Sequence, residues 1–295
     1  MVPPFHWHFL RMKNFVIPID FSAESLKGLD LALLFSQHRH VNAQMVYVHK
    51  GRPSGFGVHE EYSRIEEKFE KLVAEYQPAM GNDSRLRYII KAGKVYEEVV
   101  TQAESYKDAV IAMSTHGASG FEEFFLGSNA FRIISATTLP VFTIRHSIVP
   151  KQISRIVLPI DVSLESRQKV PMTAEVATIF GAEVHILSVS LSRNGKSMRR
   201  LSAYASQTAA FLEKQGVRYV EESVVGDNIA DITVEYAHTI DAGMISIITE
   251  QEASMTNLIL GNVAQQLLNK ANTIVLNITP REMRRTTFNT WGGPF

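Results

Sequence analysis

Two octapeptides, Phe15–Ser22 (FVIPIDFS) and Ile156–Ser163 (IVLPIDVS), decide how the rest of the sequence is interpreted. Each is an apolar run that ends in Pro-Ile-Asp and is followed, two residues later, by a serine. The copies are 141 residues apart, measured from Asp20 to Asp161. A run of this kind is typical of a buried strand that leads into a turn. The repetition therefore predicts two copies of one folded unit in a single chain.

Two further blocks repeat in the same order. Residues 92–115 (AGKVYEEVVTQAESYKDAVIAMST) are similar to residues 224–249 (VVGDNIADITVEYAHTIDAGMISIIT), and Gly127 aligns with Gly261. The offset falls to 133–134 residues in these later parts, which a few loop deletions explain. Three blocks in one order disfavour a chance similarity. The predicted organisation is an N-terminal tail over 1–12, domains over 13–146 and 153–280, and a C-terminal tail over 281–295.

Each copy alternates apolar runs with amphipathic segments, which is the pattern of an α/β fold. The runs, such as 110–113 (VIAM), lack polar alternation, as expected for strands buried on both faces of a parallel sheet. We therefore predict two tandem doubly wound domains, each a five-stranded parallel sheet flanked by helices. Pro171 predicts a kink or a late start in the first helix of the second copy. The predicted strands lie at about 15–20, 43–49, 86–91, 109–114 and 140–145, and at about 155–160, 183–190, 217–224, 243–249 and 273–278.

Composition excludes several classes of protein. The 295 residues suffice for two domains, and the 30 basic and 30 acidic side chains cancel, so we expect no nucleic-acid partner. The absence of cysteine excludes disulfide scaffolds, thiolate zinc sites, iron–sulfur clusters and cysteine nucleophiles. No apolar run is long enough to cross a membrane, and the N-terminus lacks the pattern of a secretion signal. The sequence therefore predicts a cytoplasmic protein without a membrane partner.

The loop after the fourth strand, Ser114–Ala130 (STHGASGFEEFFLGSNA), is the strongest candidate for a binding site. In open α/β sheets, ligands bind beyond the carboxyl ends of the strands, where the strand order reverses. Glycines in this loop allow a ligand to approach the backbone, and Gly127-Ser128 predicts a helix start whose free amides favour an anion. The alternative is that the glycines serve only as turn residues and as a helix cap.

The chain resembles a tandem universal stress protein, with one copy of that family's domain in each predicted domain. The resemblance rests on the repeated Pro-Ile-Asp strand and on His116-Gly117, nine residues, then Gly127-Ser128. It implies an adenine-nucleotide α-hydrolase-like fold and a site for ATP, with or without Mg²⁺. By resemblance, glycines and Ser128 would take the phosphates, Asp20 the adenosine, and the backbone near Lys50 the adenine. The candidate nucleotide-binding residues are Asp20, Lys50, Ser114, His116, Gly117, Gly127 and Ser128.

Two features of this loop depart from the family's pattern. Ser114 stands where the family has its first glycine, and Glu122 and Glu123 bring two carboxylates into the loop. Carboxylates near a triphosphate weaken its binding unless they point outward or a cation intervenes.

The second copy keeps Asp161 but loses the loop. Gln251 and Asn262 replace Gly117 and Ser128, and Glu250 replaces His116. A glutamine side chain would occupy the path of a phosphate, so we expect no phosphate binding there.

The sequence offers no catalytic motif. It contains neither a Gly-Lys-Ser/Thr phosphate loop nor a Gly-x-Ser-x-Gly elbow nor a Gly-x-Gly-x-x-Gly fingerprint, so we do not expect an enzyme. Asp20 and Asp161 have the alternative role of capping the following helices, and His116 that of a loop hydrogen-bonding group. The predicted function is a stress-response regulator that binds ATP or a related adenine nucleotide. The alternative is a nucleotide-free module for interaction with a protein partner of unknown identity.

Assembly can also be predicted. Domains of the resembled family pair through their last strands, so 140–145 (PVFTIR) and 273–278 (TIVLNI) should meet in an intramolecular pseudo-dimer. Whether whole chains then pair as a homodimer stays open. The C-terminal tail contains Phe288, Trp291 and Phe295 and is interpreted either as loose chain or as a segment that docks in a groove.

Overall fold

The computed structural model of the chain describes residues 12–49, 58–115, 126–145, 148–163, 165–191, 195–249, 251–254 and 257–280. The strand predicted from each octapeptide is present, as β1 and β6. The strands within the described ranges are β1 (Asn14–Pro18), β2 (Asn42–His49), β3 (Arg85–Ala92), β4 (Ala109–Ser114), β5 (Val141–Ile144), β6 (Arg155–Ile160), β7 (Glu183–Ser190), β8 (Tyr219–Val225), β9 (Met244–Ile248), β10 (Gln251–Ser254), β11 (Asn257–Leu260) and β12 (Ile274–Ile278).

The helices follow the predicted amphipathic segments. In the same ranges they are α1 (Ala23–Ser36), α2 (Val58–Tyr76), α3 (Val95–Glu104), α4 (Ser128–Ala136), α5 (Val170–Phe180), α6 (Gly195–Lys214), α7 (Ile229–Thr239) and α8 (Asn262–Lys270). In the part of the chain that is described, none of them is long and apolar enough to span a membrane.

Ten strands form one continuous sheet in the order β3-β2-β1-β4-β5-β12-β9-β6-β7-β8. Within each half of this order the neighbouring strands run parallel, as predicted. The two halves meet where β5 pairs antiparallel with β12, with Thr143 opposite Val275 and Val141 opposite Asn277. The predicted meeting of the two last strands is confirmed.

Polar side chains reinforce this central junction. The buried amide of Asn277 donates from Nδ2 to the carbonyl oxygen of Val141 at 3.0 Å and to Thr143 Oγ1 at 3.2 Å. Thr143 Oγ1 in turn donates to the carbonyl oxygen of Val275 at 3.3 Å, so side chains from both strands take part. A buried polar group that is hydrogen-bonded in this way favours one register of the two strands over its neighbours.

Aromatic and charged contacts join the halves beside the sheet. The ring of Phe35 lies 5.0 Å from that of Phe142 and 4.9 Å from that of Phe180, which belongs to the second half. Arg39 donates from Nη1 to Glu175 Oε1 at 3.1 Å. Burial raises the pKa of Glu175, and Arg39 acts against that effect by favouring the carboxylate. The interface is thus an extension of the hydrophobic core, with the ion pair of Arg39 and Glu175 at its margin.

The helices cover both faces of the sheet. Buried residues of α1, α2, α5 and α6 form one hydrophobic layer, represented by Leu29, Phe69 and Leu212. Buried residues of α3, α4, α7 and α8 form the other, represented by Ile133 and Leu267. This arrangement explains why the strand sequences lack polar alternation, since each strand contacts a helical layer on both sides.

Two local features of the second half differ in detail from the first. Pro171 occupies the first turn of α5, which begins only at Val170 after a separate 3₁₀ turn at Glu165–Arg167. The late start predicted from this proline is confirmed. The hairpin of β10 and β11 was not predicted, and it occupies the stretch between the fourth strand and the last helix of the second half.

We predict that Gly28→Ala destabilises the first half by about 1–3 kcal/mol, because α1 packs too closely on β4 for a side chain. A Cβ at Gly28 would lie 2.5 Å from the carbonyl oxygen of Ala112 and 2.9 Å from Cγ2 of Ile17. Urea unfolding measures the loss. Gly195→Ala is the matched control, since a Cβ there meets nothing within 4 Å. Equal stabilities of the two variants would contradict this account of the packing.

Candidate functional site

The strand order of the first half reverses at the boundary between β1 and β4. From β1 the chain continues to β2 and β3 on one side of the sheet, whereas β4 and β5 lie on the other. The helices that follow also diverge, since α1 belongs to one hydrophobic layer and α4 to the other. A cleft at the carboxyl ends of β1 and β4 is the expected result. Asp20 follows the end of β1, Ser114 ends β4, and Gly127 precedes α4, which places all three beside the expected cleft.

Asp20 organises the turn between β1 and α1. Its Oδ1 accepts hydrogen bonds from the backbone amide of Ser22 at 3.0 Å and from Ser22 Oγ. Ser22 is the N-cap of α1, and its Oγ accepts from the amide of Ser25 at 3.2 Å. The capping role proposed for Asp20 is therefore indirect, because the aspartate orders the turn and the serine caps the helix.

The same turn occurs in the second half. Asp161 Oδ1 accepts from the amide of Ser163 at 2.7 Å, and Ser163 Oγ accepts from the amide of Ser166 at 3.2 Å. The repeated Asp-x-Ser motif thus has a structural role in both halves. Its presence alone does not distinguish a binding half from a non-binding one.

What distinguishes the first half is the residue after the aspartate. Phe21 has a φ of 63°, an uncommon conformation for a residue with a bulky side chain. Its ring packs against Tyr47 at 5.4 Å and against Phe69 at 4.9 Å, and Lys68 Nζ lies 5.0 Å from its centroid. These contacts hold the strained backbone in place. Strain of this kind is concentrated at functional sites.

Tyr47 adds an electrostatic link to this part of the site. Burial raises the pKa of its phenol, and the carboxylates of Glu61 and Asp20 raise it further. At the end of the same strand, His49 Nε2 lies 3.0 Å from Glu61 Oε1, and its ring stacks on Tyr62. Lys50, the residue predicted near the adenine, follows His49 directly and lies outside the described residues.

Ser114, a predicted nucleotide-binding residue, is hydrogen-bonded to another side chain. The side chain is buried, and its Oγ donates to Glu24 Oε2 at 3.2 Å. Glu24 also binds Lys27, whose Nζ lies 2.8 Å from Oε1. Sequence reasoning missed Glu24 as a residue of the site. Its position in the first turn of α1, directly after the turn that holds Asp20, was the signal that could have identified it.

The helix start predicted at Gly127-Ser128 is present, as α4 begins at Ser128. The amide of Gly127 donates to the carbonyl oxygen of Thr115 at 2.9 Å, which fixes the helix start beside the end of β4. Gly127 is the N-cap and has no side chain that could bind the first amides of the helix. Ser128 is exposed. Within the described residues, no side chain at the N-cap position binds the first amides of α4, and amides of this kind favour an anion. His116, Gly117, Glu122 and Glu123 lie outside the described residues.

The corresponding place in the second half is built differently. β10 and β11 form an antiparallel hairpin where a phosphate loop would run, and β11 packs against α4 of the first half. Gln251 begins β10, but its side chain lies outside the described part, as does Glu250. Asn262 begins α8, and its Oδ1 accepts a hydrogen bond from Gln266 Nε2 at 2.8 Å.

Lys169 is a buried lysine near the turn that Asp161 forms after β6. It lies between the 3₁₀ turn and α5, with 3% of its surface exposed. Burial lowers its pKa to about 8, against the opposing effect of the Asp161 carboxylate. Within the described ranges, its ammonium nitrogen has no hydrogen-bond or ion-pair partner. The position 141 residues earlier is Gly28, so the first half has no side chain at this point of the fold.

Comparisons with known proteins agree with the duplicated fold. The profile of the universal stress protein family matches residues 12–145 and again residues 152–278. The structure of a universal stress protein from Archaeoglobus fulgidus DSM 4304 aligns with 91% of this chain and 99% of its own, at 20% identity and a TM-score of 0.76. A candidate universal stress protein from Pseudomonas aeruginosa UCBPP-PA14 aligns with 92% of this chain and 95% of its own, at 14% identity and a TM-score of 0.64. None of the curated proteins matches the sequence.

We predict that Lys169→Met raises the free energy of unfolding at neutral pH by about 3 kcal/mol. An unfolded lysine has a pKa of about 10.4, so the unfolded chain binds more protons than the folded chain between pH 8 and that value. Wild-type stability should therefore rise across this window, and the cost of burying Lys169 is fully present below it. Urea unfolding at several pH values measures the difference, which should vanish above pH 10.5 or so.

The exposed Lys214, changed to methionine, is the control for this experiment. A Lys169→Met variant whose stability equals that of the wild type at both neutral and alkaline pH would contradict the assignment of a buried charge.

Proposed function

The chain belongs to the universal stress protein family, and we propose that its first domain binds an adenine nucleotide, with ATP as the expected ligand. The observation that carries the proposal is the position of two groups at the carboxyl ends of the adjacent strands β1 and β4. The exposed Asp20 follows the end of β1, and the N-terminus of α4, with glycine as its N-cap, lies beyond the end of β4. The first suits the hydroxyl groups of a ribose, and the second suits a phosphate.

The helix terminus cannot hold a nucleotide alone. One such terminus contributes about 0.3–1 kcal/mol, whereas micromolar affinity requires about 8 kcal/mol. Further amides, a hydrogen bond to Asp20 and a surface for the base must supply the rest. The rings of Phe21 and Tyr47 next to Asp20 provide a rigid wall on this side of the cleft.

Glu24 bears on the role of a metal ion. Its carboxylate reaches the cleft at Ser114, where it would repel a triphosphate. Mg²⁺ bound to the phosphates would reduce this repulsion, because carboxylate oxygens are among its preferred ligands. The residues present are therefore compatible with Mg-ATP, with Glu24 as a neighbour of the metal.

We expect the function to be regulatory. The sequence lacks the phosphate-loop lysine that assists phosphoryl transfer, so slow or no hydrolysis is expected. Occupancy of the cleft would instead change the surface around α4, against which β11 of the second half packs. We expect a stress-response regulator to act through a protein partner that binds this surface.

A nucleotide-free interaction module is the second candidate function. The contact between Ser114 and Glu24 favours it, because this carboxylate occupies a position next to the expected phosphates. In that case the paired domains would serve only as a surface for another protein.

The first test compares Asp20→Asn with Asp161→Asn. Asparagine keeps an oxygen that can accept from Ser22 or Ser163, so the turn is preserved while the charge is lost. We expect Asp20→Asn to weaken Mg-ATP binding at least tenfold, about 1.4 kcal/mol, and Asp161→Asn to leave it unchanged. Isothermal titration calorimetry measures both affinities. Equal affinities in the wild type and in a folded Asp20→Asn variant would remove Asp20 from the site.

The second test is stoichiometry. The hairpin and the altered residues of the second half support one nucleotide per chain. Saturation at about 100 times Kd should add about 2.7 kcal/mol of stability, visible as an increase of a few degrees in Tm. Two equivalent sites in the titration would refute the single-site prediction. The absence of any thermal shift with Mg-ATP, Mg-ADP or AMP would favour the interaction module.

A further inference from the structure

A second cleft lies at the amino ends of β1, β2 and β3, whereas the nucleotide site is predicted at the carboxyl ends of the strands. It has a volume of about 460 Å³ and is lined by the first residues of β1, β2 and β3 together with His40 and Tyr106. Asn14 begins β1 and Asp20 follows its end, which places the cleft about 20 Å from the nucleotide site at 3.3 Å per residue. It is therefore a separate site, and its volume is within the range of small-molecule pockets.

Two arginines give this cleft its charge. Arg85 and Arg87 alternate along β3, so their side chains project from the same face of the sheet. Both are exposed and both line the cleft. Among the described residues, neither arginine forms an ion pair. This holds also for Asp83, the carboxylate residue that lines the cleft. The described lining thus holds two guanidinium groups and one carboxylate without an ion pair, and its net charge is positive.

The floor of the cleft is a network of fixed polar groups. Asn42 Nδ2 donates to Asn14 Oδ1 at 3.3 Å, and Asn14 Nδ2 donates to the carbonyl oxygen of Lys107 at 2.8 Å. Gln44 Oε1 accepts from Tyr106 Oη at 2.8 Å. These bonds orient the side chains without any carboxylate. The site is consequently polar and preorganised, with positive charge at its rim.

His40 contributes a further donor. Its Nδ1 lies 3.3 Å from the carbonyl oxygen of Asn82, and since a carbonyl only accepts, Nδ1 carries the hydrogen. In the neutral ring, Nε2 is then an acceptor, and protonation turns it into a second donor.

The second half provides an internal comparison. Glu183 begins β7 as Asn42 begins β2, and Arg155 begins β6 as Asn14 begins β1. There Glu183 lies 3.3 Å from His185 and 3.9 Å from Arg218, and Arg155 pairs with Asp241 at 3.3 Å. Arg155 and Arg218 at this end of the second half thus each lie within ion-pairing distance of a carboxylate.

The difference between the halves lies in a few side chains on one framework. Asparagine at position 42 takes the place of the glutamate that neutralises the second half. Arg85 takes the place of Arg218, Arg87 is additional, and Asn42 replaces Glu183, so the described lining carries two guanidinium groups against the one carboxylate of Asp83 and is net positive. Such a cleft attracts anions, and the planar guanidinium group matches the oxygens of a phosphate.

We propose that this cleft of Asn14, Asn42, Arg85, Arg87, His40 and Tyr106 binds a small phosphate-bearing anion, independently of the nucleotide site. Arg85 and Arg87 bind the phosphate oxygens, and Asn42 and His40 lie beside them as hydrogen-bonding groups. The protein would then respond to two ligands, one at each end of the strands of the first half.

Calorimetric titration of the full-length chain with pyrophosphate, at low salt, tests the proposal. We expect one binding event that weakens at least tenfold in Asn42→Glu, which introduces the carboxylate found in the second half, and in Arg85→Gln/Arg87→Gln. Higher salt should weaken binding further, because both arginines are exposed. Arg218→Gln is the matched control and should leave the affinity unchanged, since that arginine faces Glu183.

The outcomes separate this site from the nucleotide site. Pyrophosphate binding that is lost in Asp20→Asn but retained in Asn42→Glu and in the double arginine variant would overturn the proposal, as would a wild type that binds no pyrophosphate in the millimolar range. Failure of ATP to bind would leave the proposal intact, because none of its residues belongs to the nucleotide cleft. Circular dichroism establishes that each variant is folded. Binding of an RNA oligonucleotide with sensitivity to the same variants, but not of pyrophosphate, would also overturn it in favour of a macromolecular anion.

Discussion

Antiparallel hydrogen bonding between β5 and β12 is the constraint on which the rest of the structure depends. Each is the last strand of its half, and each would otherwise present an unpaired edge. The pairing converts two five-stranded sheets into one of ten strands and fixes the register through Asn277 and Thr143. It also brings Phe35 and Phe180 into contact, so that the two hydrophobic cores become continuous. The halves are therefore parts of one cooperative structure.

The duplication preserves backbone geometry while side chains diverge at the ends of the strands. Asp20 and Asp161 make the same turn, with the same serine cap after it. The positions around this turn differ in charge and size, as with Gly28 and Lys169. Core positions are constrained by packing in both halves, whereas strand ends face solvent and tolerate change. New binding properties can therefore arise at either edge of the sheet without disturbing its centre.

Much of the fold followed from local patterns. The apolar strands and the helices were predicted because burial on both faces leaves a clear signature in each segment, whereas the pairing of the last strands was predicted from the family resemblance. Contacts between distant segments were harder to predict. The hydrogen bond from Ser114 to Glu24 joins residues 90 positions apart, and the position of Glu24 after the Asp20 turn indicates a place near the site but not this partner. Lys169 looks like an ordinary surface lysine in sequence, since its burial depends on the late start of α5 beside it.

The pairing of β5 with β12 has a consequence for synthesis of the chain. Thr143 and its partner Val275 are separated by 132 residues, so the first half is complete long before its partner strand exists. At about 5–20 residues per second, the ribosome leaves β5 without its neighbour for roughly 7–26 s. During that interval the apolar segment VFTI is an open template for strands of other nascent chains. β5, which joins the two halves in the folded protein, is thus the strand through which a growing chain is prone to misassembly.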